Sequence, residues 1–189
     1  MSVVQAFLSL SSAFGLSASA GLNAYIPLLV IALVDRLTDG LIDLQGPWAW
    51  LSSWWTIGVL TVLLVVEVLA DKIPLVDSVN DVIQTVVRPA AGAILFAAST
   101  RTINLHPVVA AICGVIVAGG VHAVKATSRP ILSVTTGGTA NPVVSTIEDV
   151  VATITSIVSL VAPYLVLALM IVIVSLVVWR MARRQQARR

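Results

Sequence analysis

Charged side chains are scarce in this sequence. Asp, Glu, Lys and Arg make up 11% of its 189 residues, against about 25% in an ordinary soluble domain. That is too little polarity to cover a surface facing water. The scarcity is also uneven: residues 1–34, 44–66, 102–124 and 150–179 contain none of the four. Each run exceeds the ~18 residues that a membrane-crossing helix needs. These gaps exclude a soluble enzyme, a nucleic-acid-binding domain and a secreted scaffold. Cysteine is nearly missing as well. The lone Cys113 lies inside an apolar run, which excludes an intrachain disulfide or a cysteine metal cluster. No basic stretch precedes the first apolar run, which opens Met1-Ser-Val-Val-Gln, so no cleaved signal peptide is expected. Catalytic signatures are lacking too. There is no His-Glu-x-x-His or Gly-x-Ser-x-Gly, and His106 and His122 are too far apart for a helical metal pair.

What is present is hydrophobic sequence, 58% of the chain, cut by recognisable breaks. Residues 3–34 are too long for one simple span. Their middle, Gly15-Leu-Ser-Ala-Ser-Ala-Gly21, combines small residues that let helices approach closely with glycines that weaken a helix. A short N-terminal helix, a break near 15–21 and a span from about Leu22 to Val34 are therefore expected. After a hydrophilic stretch from Asp35 to Asp43, four of the five tryptophans (Trp48, Trp50, Trp54 and Trp55) open the next span as an interfacial belt. That span reaches about Ala70, and Asp71-Lys72-Ile73-Pro74 ends it. A third helix starts near Asp77 and passes Arg88-Pro89 into an apolar run; Arg101 and Asn104 mark the next turn. A fourth span covers about His106 to Lys125. The stretch from Ser128-Arg129-Pro130 to Asn141-Pro142 reads as one long irregular segment. A helix from Pro142 to about Val161, a break at Pro163 and a last span to Trp179 complete the chain.

Five of the eleven basic residues fall in the last ten positions: Arg180, Arg183, Arg184, Arg188 and Arg189. Such a cluster behind an apolar run is a cytoplasmic orientation signal. With six crossings the N-terminus is also cytoplasmic; Lys72, Lys125 and Arg129 fall inside, and the 35–43 loop and Arg101 outside. If residues 130–149 only dip into the membrane, the count is five and the N-terminus faces out. A weak internal repeat is suggested by Lys72-Ile-Pro74 against Lys125…Arg129-Pro130, and by Asn23 and Asn141, each after small residues and before a proline. Transporters are often built from such repeats with interrupted helices.

The charges that remain keep helical spacing. Asp77, Asn80, Asp81, Gln84 and Arg88 form one stripe, and His122, Lys125 and Arg129 a second, basic one. Asn141, Ser145, Glu148 and Ser156 lie close to one face, with Asp149 beside them, and Glu67 and Asp71 are one turn apart. An isolated charge near the bilayer centre costs at least ~2.5–3.5 kcal/mol, so these stripes must face protein or water, and each other. Either they form an ion-paired core that fixes helix packing, or they line a polar pocket or pathway; their number favours the pathway. Asp77 and Asp81 with Glu148 and Asp149 could in principle hold a divalent cation, although the nearby basic groups make ion pairing the expected fate. The segment Thr136-Gly137-Gly138-Thr139-Ala140-Asn141-Pro142 reads as a turn with Asn141 as helix cap and Pro142 as first helical residue. Free amides and the helix dipole there suit an anion as well as they suit a plain capped loop. The segment lacks the Lys-Ser/Thr ending of a nucleotide loop.

Several of these segments together carry a family resemblance. They are Ala20-Gly-Leu-Asn-Ala-Tyr-Ile-Pro, Glu67-Val-Leu-Ala-Asp-Lys-Ile-Pro, Asp77-Ser-Val-Asn-Asp, Gln84-Thr-Val-Val-Arg-Pro-Ala-Ala-Gly-Ala, His122-Ala-Val-Lys-Ala and Gly137-Gly-Thr-Ala-Asn-Pro-Val-Val-Ser-Thr-Ile-Glu-Asp. They resemble a bacterial membrane family, domain of unknown function 4126, over about residues 15–160. The resemblance implies an integral membrane protein of this size, placed in the bacterial inner membrane, and implies no particular activity.

The expected fold is all-α: a polytopic transmembrane helix bundle of five or six spans with interrupted helices. Residues 1–180 form one transmembrane domain and 181–189 a basic cytoplasmic tail. The expected function is a small-solute or ion transporter or channel, with an anion slightly favoured. His122, Lys125, Arg129, Thr136, Gly137, Gly138 and Asn141 would bind it. Glu67, Asp71, Lys72, Asp77, Asn80, Asp81, Gln84, Arg88, Glu148 and Asp149 would form a coupling or ion-pair network. The alternatives are a lipid-phosphate flippase, a metal-dependent membrane-embedded enzyme acting on lipid phosphates, and a non-catalytic scaffold. No cofactor and no nucleic acid are expected; the bilayer, a small solute or ion, and further copies of the chain are.

Overall fold

The computed structural model describes residues 2–38, 42, 44, 46–137 and 139–186, without side-chain placement at 74, 75, 77, 78, 102, 132, 133, 177, 182 and 184–186. Every regular element among them is helical. The helices are α1 (Val3–Leu22), α2 (Tyr25–Leu37), α3 (Trp54–Ala70), α4 (Pro74–Ser99), α5 (Pro107–Thr136), α6 (Asn141–Val161) and α7 (Pro163–Gln186). Short 3-10 turns cover Gly46–Trp48 and Arg101–Ile103. Proline opens α4, α5 and α7, where its missing N–H costs nothing. Ser2 and Gln5 cap α1 reciprocally, and Ser53 caps α3.

Five helices are long and apolar enough to cross a membrane: α1, α5, α6, and the apolar parts of α4 and α7. The apolar α3 is somewhat shorter. Their outward faces carry exposed large hydrophobics, among them Val62, Val66, Ile116, Leu169 and Val174. Water would not tolerate that surface, and a bilayer requires it. The protein is therefore a multi-pass membrane protein.

The centre of the bundle is α1, which packs against α4, α5, α6 and α7. Its Gly-Ser-Ala run does not break, contrary to expectation. The small residues instead let the neighbours close in. A Cβ at Gly21 would stand 2.5 Å from the Ala118 carbonyl oxygen. Ser17 Oγ donates to the Gly92 carbonyl at 3.0 Å and Ser19 Oγ to that of Ala152 at 2.8 Å. The break comes later, at Asn23, whose backbone is extended (φ −145°, ψ 123°). There the chain reverses. Ser19 and Asn23 meet α6 at Ala152 and Asp149, whereas Arg36, near the end of α2, stacks over Trp54 at the start of α3. So α1 and α2 form a V whose two outer ends lie at the tryptophan end of the bundle and whose apex points to the opposite, charged end. From α3 onward the chain passes back and forth between these ends five times. The termini therefore lie at opposite ends. This disagrees with the six-crossing arrangement, which puts them together.

Two further expectations change. The fourth span does not stop near Lys125: α5 runs through Arg129-Pro130 to Thr136, leaving 137–140 as the turn. Proline inside a membrane helix is tolerated where neighbours satisfy the freed backbone groups, and α4 likewise continues through Pro89. Because Pro74 starts a helix and Pro130 lies within one, the suggested repeat has no structural counterpart at these positions. Beyond Trp179, α7 stays helical to Gln186, with Arg183 stacked on the Trp179 ring at 4.3 Å.

Candidate functional site

The charged end of the bundle holds a continuous network of buried and half-buried ionisable groups. Glu67 and Asp71 come from the end of α3, and Asn80, Asp81, Gln84, Thr85 and Arg88 from one face of α4. His122, Lys125 and Arg129 come from one face of α5, Ser145, Glu148 and Asp149 from α6, and Asn23 from the apex of the V. The helical period puts the members of each stripe on one face, and lipid-facing valines such as Val79, Val82 and Val86 occupy the other.

Three groups of contacts build it. Deepest is Arg88, fully buried (0% exposed), which pairs with Glu67 (2% exposed) at 3.1 Å. The same guanidinium donates to His122 Nδ1 at 3.0 Å. A guanidinium can only donate, so Nδ1 accepts, and the proton of a neutral ring lies on Nε2. That nitrogen faces Thr85 Oγ1 at 3.1 Å, and Thr85 in turn donates to the Asp81 carbonyl. Next, Lys125 Nζ meets Glu148 at 2.8 Å and donates to the Leu22 carbonyl at 3.0 Å, which is the last carbonyl of α1. Nearer the end, Arg129 bridges three helices. It contacts Asp81 at 3.0 Å, Ser145 Oγ at 2.8 Å, Glu148 at 3.6 Å and Asp71 at 3.7 Å. Asn80 donates to Asp71. Asn23 donates its amide to Asp149 at 2.9 Å while its own Oδ1 accepts from the Tyr25 and Ile26 amides, capping α2.

Burial is graded along this network. Arg88 and Glu67 are sealed, whereas the Asp81 side chain is 24% exposed. Lys72, at the rim, is exposed and donates to Thr146 Oγ1 at 2.7 Å. From Arg88 to Asp81 is two helical turns, about 10 Å along α4. Beyond Arg88, toward the tryptophan end, the packing turns apolar, with Leu16, Ala20, Ala91, Leu95 and Ala118. The result is a polar track open at one end and stopped by hydrophobic packing at the other. Among the described residues, Glu67 Oε2, Gln84 Oε1 and Arg88 Nε, at its inner end, are buried without a hydrogen-bond partner. Five carboxyl groups (Glu67, Asp71, Asp81, Glu148 and Asp149) face three basic side chains (Arg88, Lys125 and Arg129). Among the described residues, carboxyl groups therefore outnumber the Lys and Arg side chains of the inner network by two, and Lys72 at the rim offsets one of these.

The profile of the family described as Domain of unknown function (DUF4126) matches residues 10–183. The chain belongs to that family. No curated protein and no solved structure matches it. The family segment contains every residue of the network.

Of the residues expected to bind substrate, His122, Lys125 and Arg129 are brought into the network. Thr136 is the last residue of α5, and Gly137 opens the α5–α6 turn. The described backbone and hydroxyl contacts of that turn are local, with Thr139 and Ala140 donating to Thr136. Gly137 takes the left-handed conformation (φ +61°) and is exposed. Asn141 is the first residue of α6 rather than its cap, and Ala140 stands at the cap position. Gly138 lies outside the described residues, as does the side chain of Asp77. Among the coupling residues, Glu67, Asp71, Asn80, Asp81, Gln84, Arg88, Glu148 and Asp149 fall in the network and Lys72 at its edge. Three participants were not singled out as site residues: Asn23, Thr85 and Ser145. Asn23 carried a signal, because apart from Gln5 it is the only amide side chain in the first 34 residues.

Proposed function

We propose that the protein transports a small cation, or exchanges protons, along the charged track at one end of the bundle. The observation that supports this reading is the excess of carboxyl groups over Lys and Arg side chains among the described residues of the network. Every basic side chain of the inner network already faces a carboxylate, so a cation or proton suits the site better than the anion that the basic stripe alone suggests. Polar groups inside a membrane are costly, and pathways are where they are usually retained. The two unpartnered acceptors, Glu67 Oε2 and Gln84 Oε1, add support, because a proton or a small hydrated cation would satisfy them. The apolar stop beyond Arg88 favours alternating exposure over an open channel.

The charged end is read as cytoplasmic, in a bacterial inner membrane. Lys72, Lys125 and Arg129 belong to it, and α7 turns back beside α6 to bring Arg180 and Arg183 to the same end, in keeping with the positive-inside bias. The metal-dependent enzyme reading has less support, since no three potential metal ligands are grouped among the described residues.

The test is flux into proteoliposomes under a pH gradient, with a panel of monovalent and divalent cations and, in parallel, anions. Wild type should exceed empty liposomes for at least one cation or for protons. Asp81→Asn and Glu67→Gln should lower that flux at least tenfold. Flux equal to empty liposomes throughout sinks the proposal, and flux confined to anions restores the anion reading.

A further inference from the structure

The inner end of the charged track leaves two acceptors unused away from solvent. Glu67, Gln84 and Arg88 are each at most 2% exposed, and among the described residues Glu67 Oε2 and Gln84 Oε1 have no hydrogen-bond partner. These groups share one small region. The other oxygen of the same carboxyl group, Glu67 Oε1, is 3.1 Å from Arg88 Nη2, and Gln84 stands one helical turn before Arg88 on the same face of α4. From the α2 side the half-buried Tyr25 brings its hydroxyl to the Gln84 side chain, with Glu67 and Arg88 close by. Just beyond, Ala91 and Leu95 begin the apolar stop.

A buried acceptor without a donor is costly, so two of them call for a ligand that can donate. A metal ion needs several oxygen ligands, yet no three potential metal ligands are grouped among the described residues. It would also stand against the Arg88 guanidinium, which carries charge of the same sign 3.1 Å from Glu67. An anion would suit the free Arg88 Nε but would meet both acceptors. A proton needs neither space nor further ligands. Bound to Glu67 Oε2, it turns one idle acceptor into an O–H donor, while Glu67 Oε1 goes on accepting from Arg88 Nη2. Gln84 Oε1 is then there to receive that O–H, directly or across one water molecule. One O–H bond forms and none breaks. The carboxyl excess fits as well: of the two surplus groups among the described residues, Lys72 at the rim offsets one and a proton on Glu67 the other.

We infer that Glu67 is the residue that takes up a proton in this protein, and that Gln84 Oε1 receives the hydrogen bond of the protonated acid. The charged and titratable groups around it are Asp71 on its own helix, Arg88 from α4, Lys125 from α5 with His122 behind Arg88, and Tyr25 from α2. This narrows the species carried along the track from a small cation to the proton, and rests on the transport reading only for the use made of that proton.

The test observes the proton itself. Infrared difference spectra are recorded between acid and alkaline pH on protein in a detergent free of carbonyl groups. A protonated carboxylic acid shows a carbonyl stretch that the carboxylate lacks. Wild type should show this band, Glu67→Gln should lose it, and Asp71→Asn and Asp149→Asn should keep it. Gln84→Leu should keep the band at a higher frequency, because the acid has lost its acceptor. That variant retains the Glu67–Arg88 pair, so its shift stays readable if Glu67→Gln folds poorly. Added sodium, potassium or magnesium should leave the band unchanged at fixed pH. A band that survives Glu67→Gln, stays in place in Gln84→Leu, or disappears on adding a metal ion overturns the inference and leaves transport through the track standing. The expected band in a protein without any flux keeps Glu67 as a proton site and removes the transport reading instead.

Discussion

Arg88 and Glu67 show what a single residue is worth in this protein. Both are buried from solvent and from lipid, and their contact joins α3 to α4. Removing one member of such a pair leaves the other ionised and unpaired, at a cost of about 3–5 kcal/mol, whereas replacing both with apolar residues is often close to neutral. Arg88→Leu should therefore unfold at distinctly lower denaturant in mixed detergent micelles, and Glu67→Leu/Arg88→Leu should recover most of the loss. A double variant as unstable as the sum of the two single ones would show that each residue acts through other partners. The same residues show what was readable beforehand. Helical spacing placed Arg88 on one face with Asp81 and Gln84, and Glu67 one turn from Asp71, because the period of a helix is written in the sequence. That Arg88 takes Glu67 and His122, while Arg129 takes Asp71, Asp81 and Glu148, was not readable, since several carboxylates were equally available on spacing alone. Asn23 escaped notice as a site residue for a related reason. An amide among small residues reads as a packing element until the neighbouring helix supplies Asp149.

Helices meet here through backbone contact as much as through side chains. Gly92 of α4 and Gly114 of α5 face each other so closely that a Cβ on Gly92 would stand 2.7 Å from the Gly114 carbonyl oxygen, and one on Gly114 would collide with the Gly92 backbone. Ser17 binds the Gly92 carbonyl from the third side. Gly114→Leu must push α5 away from α4, separating the two helices that carry Arg88 and His122. Gly120, on the same helix, has nothing within 4 Å of its missing Cβ, and Ala there should be neutral or slightly stabilising, by up to ~1 kcal/mol. Thermal unfolding of Gly114→Leu beside Gly120→Ala tests this; equal stability of the two would refute the packing argument. At this scale the sequence was misleading in an instructive way. Runs of glycine, serine and alanine in α1, and proline after Arg129, are breakers in water. Inside a bilayer the same residues let helices pack tightly or are accommodated by neighbours. The one true break, at Asn23, occurs where a side chain can cap the new helix.

The arrangement of the whole chain follows from that break. If α1 and α2 were a single crossing, the N-terminus would share a side with Ile73, Thr139 and the arginines of α7. Because the V turns back at Asn23, the N-terminus instead shares a side with Ala49. The sequence offered both placements of the N-terminus, but it reached the outward one by letting residues 130–149 dip into the membrane, whereas α6 and α7 are separate helices and residues 1–34 contain no charge to orient the first segment. What decides it is contact: α1 pairs with α6 at Ser19–Ala152 and Asn23–Asp149, which sets its direction, and Arg36 over Trp54 sets that of α2. Cysteine labelling in a Cys113→Ala background reads this directly in sealed vesicles. Ser2→Cys and Ala49→Cys should react with an impermeant maleimide from one side, and Ile73→Cys, Thr139→Cys and Arg183→Cys only from the other. Labelling of Ser2→Cys together with Ile73→Cys would straighten the V into a crossing. It would also remove Asn23 from the charged track, because Asn23 reaches Asp149 only with α1 running antiparallel to α6.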